Sequence, residues 1–167
     1  MLATLESGGQ ILDLGCGLGQ TLRYFAYRGA PTENMYASDL QSEFWDAGYT
    51  LFCDKERFHA RFKQANILDE NNALLADRKD GWLETMDVIW LGNFLHAFNT
   101  EEQEKALNAV VRLGKVGGKV VGTQWGIDWS VAAEELREGG KLRDLVGGVE
   151  CEYFCSRGLW YWVRRIR

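Results

Sequence analysis

Proline is nearly missing from this chain of 167 residues, with one at Pro31, and histidine is scarce, with only His59 and His96. The four cysteines (Cys16, Cys53, Cys151, Cys155) form no C-x-x-C pair, so neither a metal site nor a disulfide framework is indicated. A reduced, cytoplasmic protein is the expectation. No run approaches the ~20 apolar residues of a membrane span, and residues 1–10 lack the basic-then-apolar order of a secretory signal. Cationic excess is absent too: 19 Lys and Arg stand against 24 Asp and Glu, a formal charge of −5. The one basic cluster, Arg164, Arg165 and Arg167, is too small to make a nucleic-acid surface. Neither nucleic acid nor membrane is therefore an expected partner.

Glycine, by contrast, is plentiful at 19 residues, many placed where strands meet turns. A hydrophobic fraction of 46% and a charged fraction of 26% suit a globular protein, and the length suits a single domain over residues 1–167. Period changes along the chain give an alternating pattern. Residues 10–14 (QILDL) read as a buried strand. Residues 18–28 carry Leu18, Leu22, Phe25 and Ala26 at helical spacing, stopped by Gly29. Residues 34–39 form a second strand, 42–53 an aromatic-rich helix and 60–66 a third strand. Within 67–83, Leu74, Leu75 and Trp82 suggest a short docked helix. Residues 86–91 (MDVIWL) are the fourth strand. Thr100 with Gln103 gives a capping-box start to a helix that Gly114 ends. A fifth strand covers 118–123, a last helix 131–145, and strands 149–155 and 159–166 close as a hairpin about 156–158. This order predicts an α/β Rossmann-like open sheet, mostly parallel and seven-stranded, with helices on both faces and a C-terminal antiparallel β-hairpin.

The chemistry concentrates in I-L-D-L-G-C-G-L-G, residues 11–19, where a strand runs into a helix through Gly15, Gly17 and Gly19. Glycine there permits a tight turn, leaves no side chain between backbone and ligand, and allows close packing. A dinucleotide fingerprint would need glycine at position 20, which is Gln20. Asp39 ends the second strand at a spacing where a carboxylate can accept both hydroxyls of a nucleoside ribose, although acids also cap strand ends. Asn66 ends the third strand and reads either as a ligand contact or as a turn former. After the fourth strand, Gly92, Asn93 and His96 sit where an open α/β sheet has its crevice. His96 is a candidate general base, with packing in the turn as the plainer alternative. Trp125 and Trp129 would fall on the same rim. Trp160 and Trp162 share one face of the hairpin and read as packing.

The G-x-G-x-G spacing resembles motif I of class I S-adenosylmethionine (SAM)-dependent methyltransferases, with Asp13 as its acid. Within that superfamily, the segments GQILDLGCGLGQ, RGAPTENMYASDL, SEFWDAGYTLF and KERFHARFKQANILD are similar to fungal secondary-metabolism methyltransferases of meroterpenoid pathways. The resemblance implies SAM as cofactor, S-adenosylhomocysteine (SAH) as product, and methyl transfer to an oxygen or carbon of a small organic acceptor. It implies a cofactor site of Asp13, Gly15, Cys16, Gly17, Gly19, Asp39, Leu40, Asn66, Ile67, Gly92 and Asn93; Asn93 and His96, by their place after the fourth strand, are the candidate catalytic residues. The family commonly has an acid where Asn66 stands. With Met1 only ten residues before Ile11, the N-terminal segment that covers the acceptor in the family reads as absent, which leaves a homodimer or a partner subunit to cover it. A SAM-binding domain without catalysis of its own is the alternative function. A nicotinamide oxidoreductase is disfavoured by Gln20 and the terminal hairpin.

Overall fold

The computed structural model describes residues 1–76, 81–124, 152–156 and 159–166. Five parallel strands form the heart of the sheet: β1 (Ile11–Leu14), β2 (Met35–Asp39), β3 (Arg61–Gln64), β4 (Met86–Gly92) and β5 (Gly114–Gln124), in the order β3-β2-β1-β4-β5. Strands β6 (Glu152–Ser156) and β7 (Leu159–Arg165) pair antiparallel with each other, and β7 runs antiparallel along β5. Every residue of β1 is buried, as expected of a central strand covered on both faces. Among the described residues the α-helices are α1 (Leu2–Glu6), α2 (Gln20–Tyr27), α3 (Ser42–Phe52) and α4 (Thr100–Leu113).

Two apolar layers sandwich the sheet. On one side Leu12, Leu14, Tyr36, Ile89 and Leu91 pack with Ala106, Leu107, Val110 and Leu113 of α4 and with Leu74 and Trp82. On the other, Ile11, Met35, Ala37 and Val88 pack with Leu22 and Phe25 of α2, Trp45 of α3, and Phe58. Leu5 of α1, which the sequence reading passed over, is fully buried in this second layer. Asp87 accepts from the Gln10 amide at 2.8 Å and from Lys115 Nζ at 2.7 Å, fixing the entry to β1.

Several expected boundaries move for local physical reasons. Helix α2 starts at Gln20, because Leu18 belongs to the glycine loop and Gly19 caps the helix with φ 69°. Helix α3 ends at Phe52, with Cys53 left-handed at φ 50°. The capping box of α4 is shifted by one: Asn99, not Thr100, is the cap, accepting from the Glu102 amide at 3.0 Å while Glu102 Oε2 accepts from the Asn99 amide at 3.0 Å. Strand β5 begins directly at Gly114, four residues earlier than expected. Among the described residues of 67–83, the docked helix is a single 3-10 turn, Ala73–Leu75, with Leu74 fully buried. The expected helix at 131–145, Trp125, Trp129, Cys151 and the hairpin turn residues Arg157 and Gly158 lie outside the described residues.

Candidate functional site

Strand order reverses between β1 and β4, and in such sheets ligands lie in the crevice beyond the carboxyl ends of the strands at that point. The glycine loop leaves β1 there. Its first amides, of Gly15 and Cys16, donate to the Ser38 carbonyl at 2.8 and 3.2 Å, which ties the loop to the end of β2. Gly15, Gly17 and Gly19 all have positive φ, at 73°, 52° and 69°. Their surroundings separate their roles. A Cβ on Gly15 would meet Phe94 Cδ2 at 2.5 Å; one on Gly19 would meet Trp45 Cζ3 at 2.6 Å and Arg23 Nη1 at 2.7 Å. A Cβ on Gly17 would meet nothing within 4 Å. The middle glycine alone opens onto free space; the first makes room for an aromatic ring, and the third for the packing of α2 on α3.

Beside that opening lies Asp39, half-buried, whose Oδ2 accepts from the Gly17 amide at 2.8 Å and whose Oδ1 accepts from the Gln41 amide at 3.1 Å. The carboxylate therefore orders the loop, and its remaining lone pairs stay available for a ligand's hydroxyls. Asp13, only 3% exposed, lies deeper. Burial first, and the charge of Asp39 second, push its carboxyl up to about 7. Burial likewise pushes the Cys16 thiol up, aided by the charges of Asp13 and Asp39, so this sulfur is a neutral packing group.

The far wall is held by one side-chain and one backbone bond. Gln64 Nε2 donates to the Leu40 carbonyl at 2.8 Å, and the Ala65 amide to the Asp39 carbonyl at 3.1 Å. This holds Leu40 out at 58% exposure next to the acid. Asn66 behaves as a turn former: its Oδ1 accepts from the Leu68 amide at 3.0 Å, and its carbonyl from Asp69 at 3.1 Å. The Ile67 side chain is buried in the core.

On the β4 side, the Gly92 Cα faces the Trp90 indole, with a Cβ there 2.6 Å from Nε1. Asn93 is left-handed at φ 52° and donates its amide to the Thr123 carbonyl at 2.9 Å. The Asn93 and His96 side chains are exposed, so neither is held against the glycine loop. Phe94 is what reaches back, resting on Gly15 and edge-on against Phe98 with ring centroids 5.1 Å apart. Sequence reasoning missed Phe94, because an apolar residue in a crevice loop carries no chemical signal of its own. It missed Arg23 as well, which is 7% exposed beneath the loop. Among the described residues no group of three acids, histidines or cysteines is placed to hold a metal ion, and no helix is long and apolar enough to cross a membrane.

A parallel sheet reversing at β1 and β4, with a glycine loop and two acids at the reversal, is the arrangement of the Rossmann-like nucleotide-binding class. The methyltransferase domain family matches residues 12–120, and the chain belongs to it. The resemblance read from motif I is thereby upheld. The chain is 32% identical over 199 residues to O-methyltransferase phiE of a fungal species, covering 96% of this chain and 65% of that protein. It is 40% identical over 114 residues to methyltransferase ausD of Aspergillus calidoustus, covering 68% of this chain and 39% of that protein. The chain thus spans less than two thirds of the length of the curated relatives it matches. An O-methyltransferase family structure from Burkholderia thailandensis aligns with a TM-score of 0.66 at 16% identity, over 94% of this chain and 50% of that one.

Proposed function

We propose that this chain binds SAM in the crevice between β1 and β4 and transfers its methyl group to an oxygen, or a carbon, of a small organic acceptor of fungal secondary metabolism. The observation that carries this reading is the free space over Gly17 beside the Asp39 carboxylate. An adenosyl ligand with a ribose diol and a cationic amino-acid end suits a cradle that offers open backbone flanked by two acids. Asp39 would accept from the ribose hydroxyls, Asp13 would favour the positive end, and exposed Leu40 would cover the purine. Gly15, Cys16, Gly17 and Gly19 would form the floor by their backbone, and Gly92 and Asn93 the opposite edge. The Asn66 oxygen is already used by its turn, so the purine edge falls to its remaining lone pair and to the backbone of Ile67.

SAM supplies a methyl group already activated by its sulfonium. The protein's task is then alignment, which can contribute most of the rate without a metal. Asn93 would orient an acceptor hydroxyl, and a ring nitrogen of His96 would take its proton; a carboxylate acceptor needs no base. Phe94, seated on Gly15, would wall off water near the transfer point. We take residues 1–167 as one domain of the seven-stranded class, a reading that the antiparallel run of β7 along β5 supports.

Titration calorimetry with SAM, SAH and NAD, paired with methyl transfer to a panel of small acids and phenols, tests the proposal. Binding of both sulfur nucleosides but not NAD, with transfer, is the expected result; NAD binding alone would overturn it. The exposure of Asn93 and His96 favours a second reading, in which SAM binds but transfer requires a second copy or a partner to cover the acceptor side. Binding without transfer would select it.

A further inference from the structure

We propose that Arg23 is a positioning residue for cofactor binding, a guanidinium clamp that holds the far end of the glycine loop by the Leu18 carbonyl. The inference rests on the SAM-binding reading above. Arg23 Nη1 donates to the Leu18 carbonyl at 2.6 Å, while Nε and Nη2 donate to the two oxygens of Asp54 at 2.7 and 3.1 Å. Four rings enclose the same group, with Phe58, Phe52, Tyr49 and Trp45 centroids 4.4, 5.0, 5.2 and 5.3 Å from its central carbon. An apolar side chain would fill this space without the cost of burying a charge, so packing alone gives no reason for arginine. What arginine adds is a planar fork of donors that serves a carboxylate and a carbonyl at once.

The carbonyl it holds is closely fitted from the other side as well. A Cβ on Gly48 of α3 would lie 2.5 Å from the Leu18 oxygen and 3.0 Å from Arg23 Nη1. Two residues of the loop are thus pinned in opposite senses: the Gly17 N–H to Asp39, and the Leu18 C=O to Arg23 and through it to Asp54. Gly17 is the glycine that faces the free space, so these two ties together set the shape of the cofactor floor. The segment SEFWDAGYTLF acquires a purpose on this view. Trp45, Gly48, Tyr49 and Phe52 fall on one face of α3, and that face builds the cage and slot around the clamp.

The experiment compares the wild-type chain with Asp54→Asn, Arg23→Lys and Gly48→Ala, using Tyr27→Ala at an 86%-exposed position as the control. SAH affinity is read by calorimetry, amide hydrogen exchange at Gly17 and Gly19 without ligand, and folding by thermal melting. A clamp predicts that Asp54→Asn and Gly48→Ala weaken SAH binding at least tenfold and speed exchange at both amides at least tenfold while melting stays cooperative. Arg23→Lys does not rescue, because an ammonium cannot serve both acceptors in one geometry. Lowered melting temperatures with wild-type affinity and wild-type loop protection would mean a packing role and overturn the proposal. Should Arg23→Lys fail to fold, Asp54→Asn decides, since its side chain is 15% exposed and the change keeps the size while removing the charge and one of the two acceptors. If the wild-type chain binds neither SAM nor SAH, the functional reading falls, and loop exchange still decides the clamp.

Discussion

Asp39 holds the Gly17 amide and, on the proposed reading, also accepts from the ligand, and its variants should separate the two. Asp39→Ala removes the acceptor for both the ligand and the Gly17 amide, and SAH affinity should fall by ~1.5–3 kcal/mol, the scale of a hydrogen bond to a charged group. Asp39→Asn keeps the size but turns one acceptor into a donor, so it should also raise exchange at Gly17; unchanged affinity in a folded variant would remove the ribose assignment. Asp13 carries a different liability. The folded state keeps its proton up to about pH 7, whereas a free aspartate carboxyl loses it near 3.8. The folded state therefore binds more protons than the unfolded chain across that window, and this group's contribution to stability falls as pH rises through it. Asp13→Asn should melt higher than wild type at pH 8 and show no gain near pH 4. An equal gain at both values would show that burial of the ionised acid is not the cause.

At the scale of elements, the difference between motif and register decides what a sequence reveals. Strands β1 and β4 were legible as apolar runs, because buried parallel strands are continuous in their hydrophobicity, whereas β2 reads more weakly. The start of α4 was legible only to within one residue. Asn99 and Thr100 are both good caps, and Glu102 and Gln103 are both good reciprocal partners, so only the fold chooses the pair. Asn99→Ala should cost about 1 kcal/mol in urea denaturation, and Thr100→Ala much less; the reverse ranking would contradict the observed box. Arg23 was illegible for another reason. A cation one residue after Leu22 reads as solvated, and its burial depends on Asp54, 31 residues away, and on rings contributed by a different helix. Phe94 and Gly15 share that problem, since their contact joins two strand ends that are distant in sequence. The glycine loop was thus readable in its backbone requirements, while the side chains that hold it were not.

At the scale of the whole molecule, a ligand held between β1, β2 and β4 ties three strand ends together, so binding should be visible in global unfolding. With SAH at a hundred times its dissociation constant, linkage gives about 2.7 kcal/mol, which for a chain of this size is a rise of roughly 5–10 °C in melting temperature. NAD at the same concentration should give none, and an equal rise with NAD would point to a different cofactor class. The sheet order has one more consequence, for the chain as it is synthesised. Strand β1 finds β2 within about two dozen residues but waits for β4, whose pairing residues begin at Val88, to cover its other side. At about 5–20 residues per second that delay lasts several seconds, with an apolar edge, Ile11–Leu14, bare to any neighbouring nascent chain. A fragment ending between β3 and β4 would keep the glycine loop, Asp39 and the Arg23–Asp54 pair, yet keep that edge permanently open, so self-association rather than loss of the half-site would limit its use.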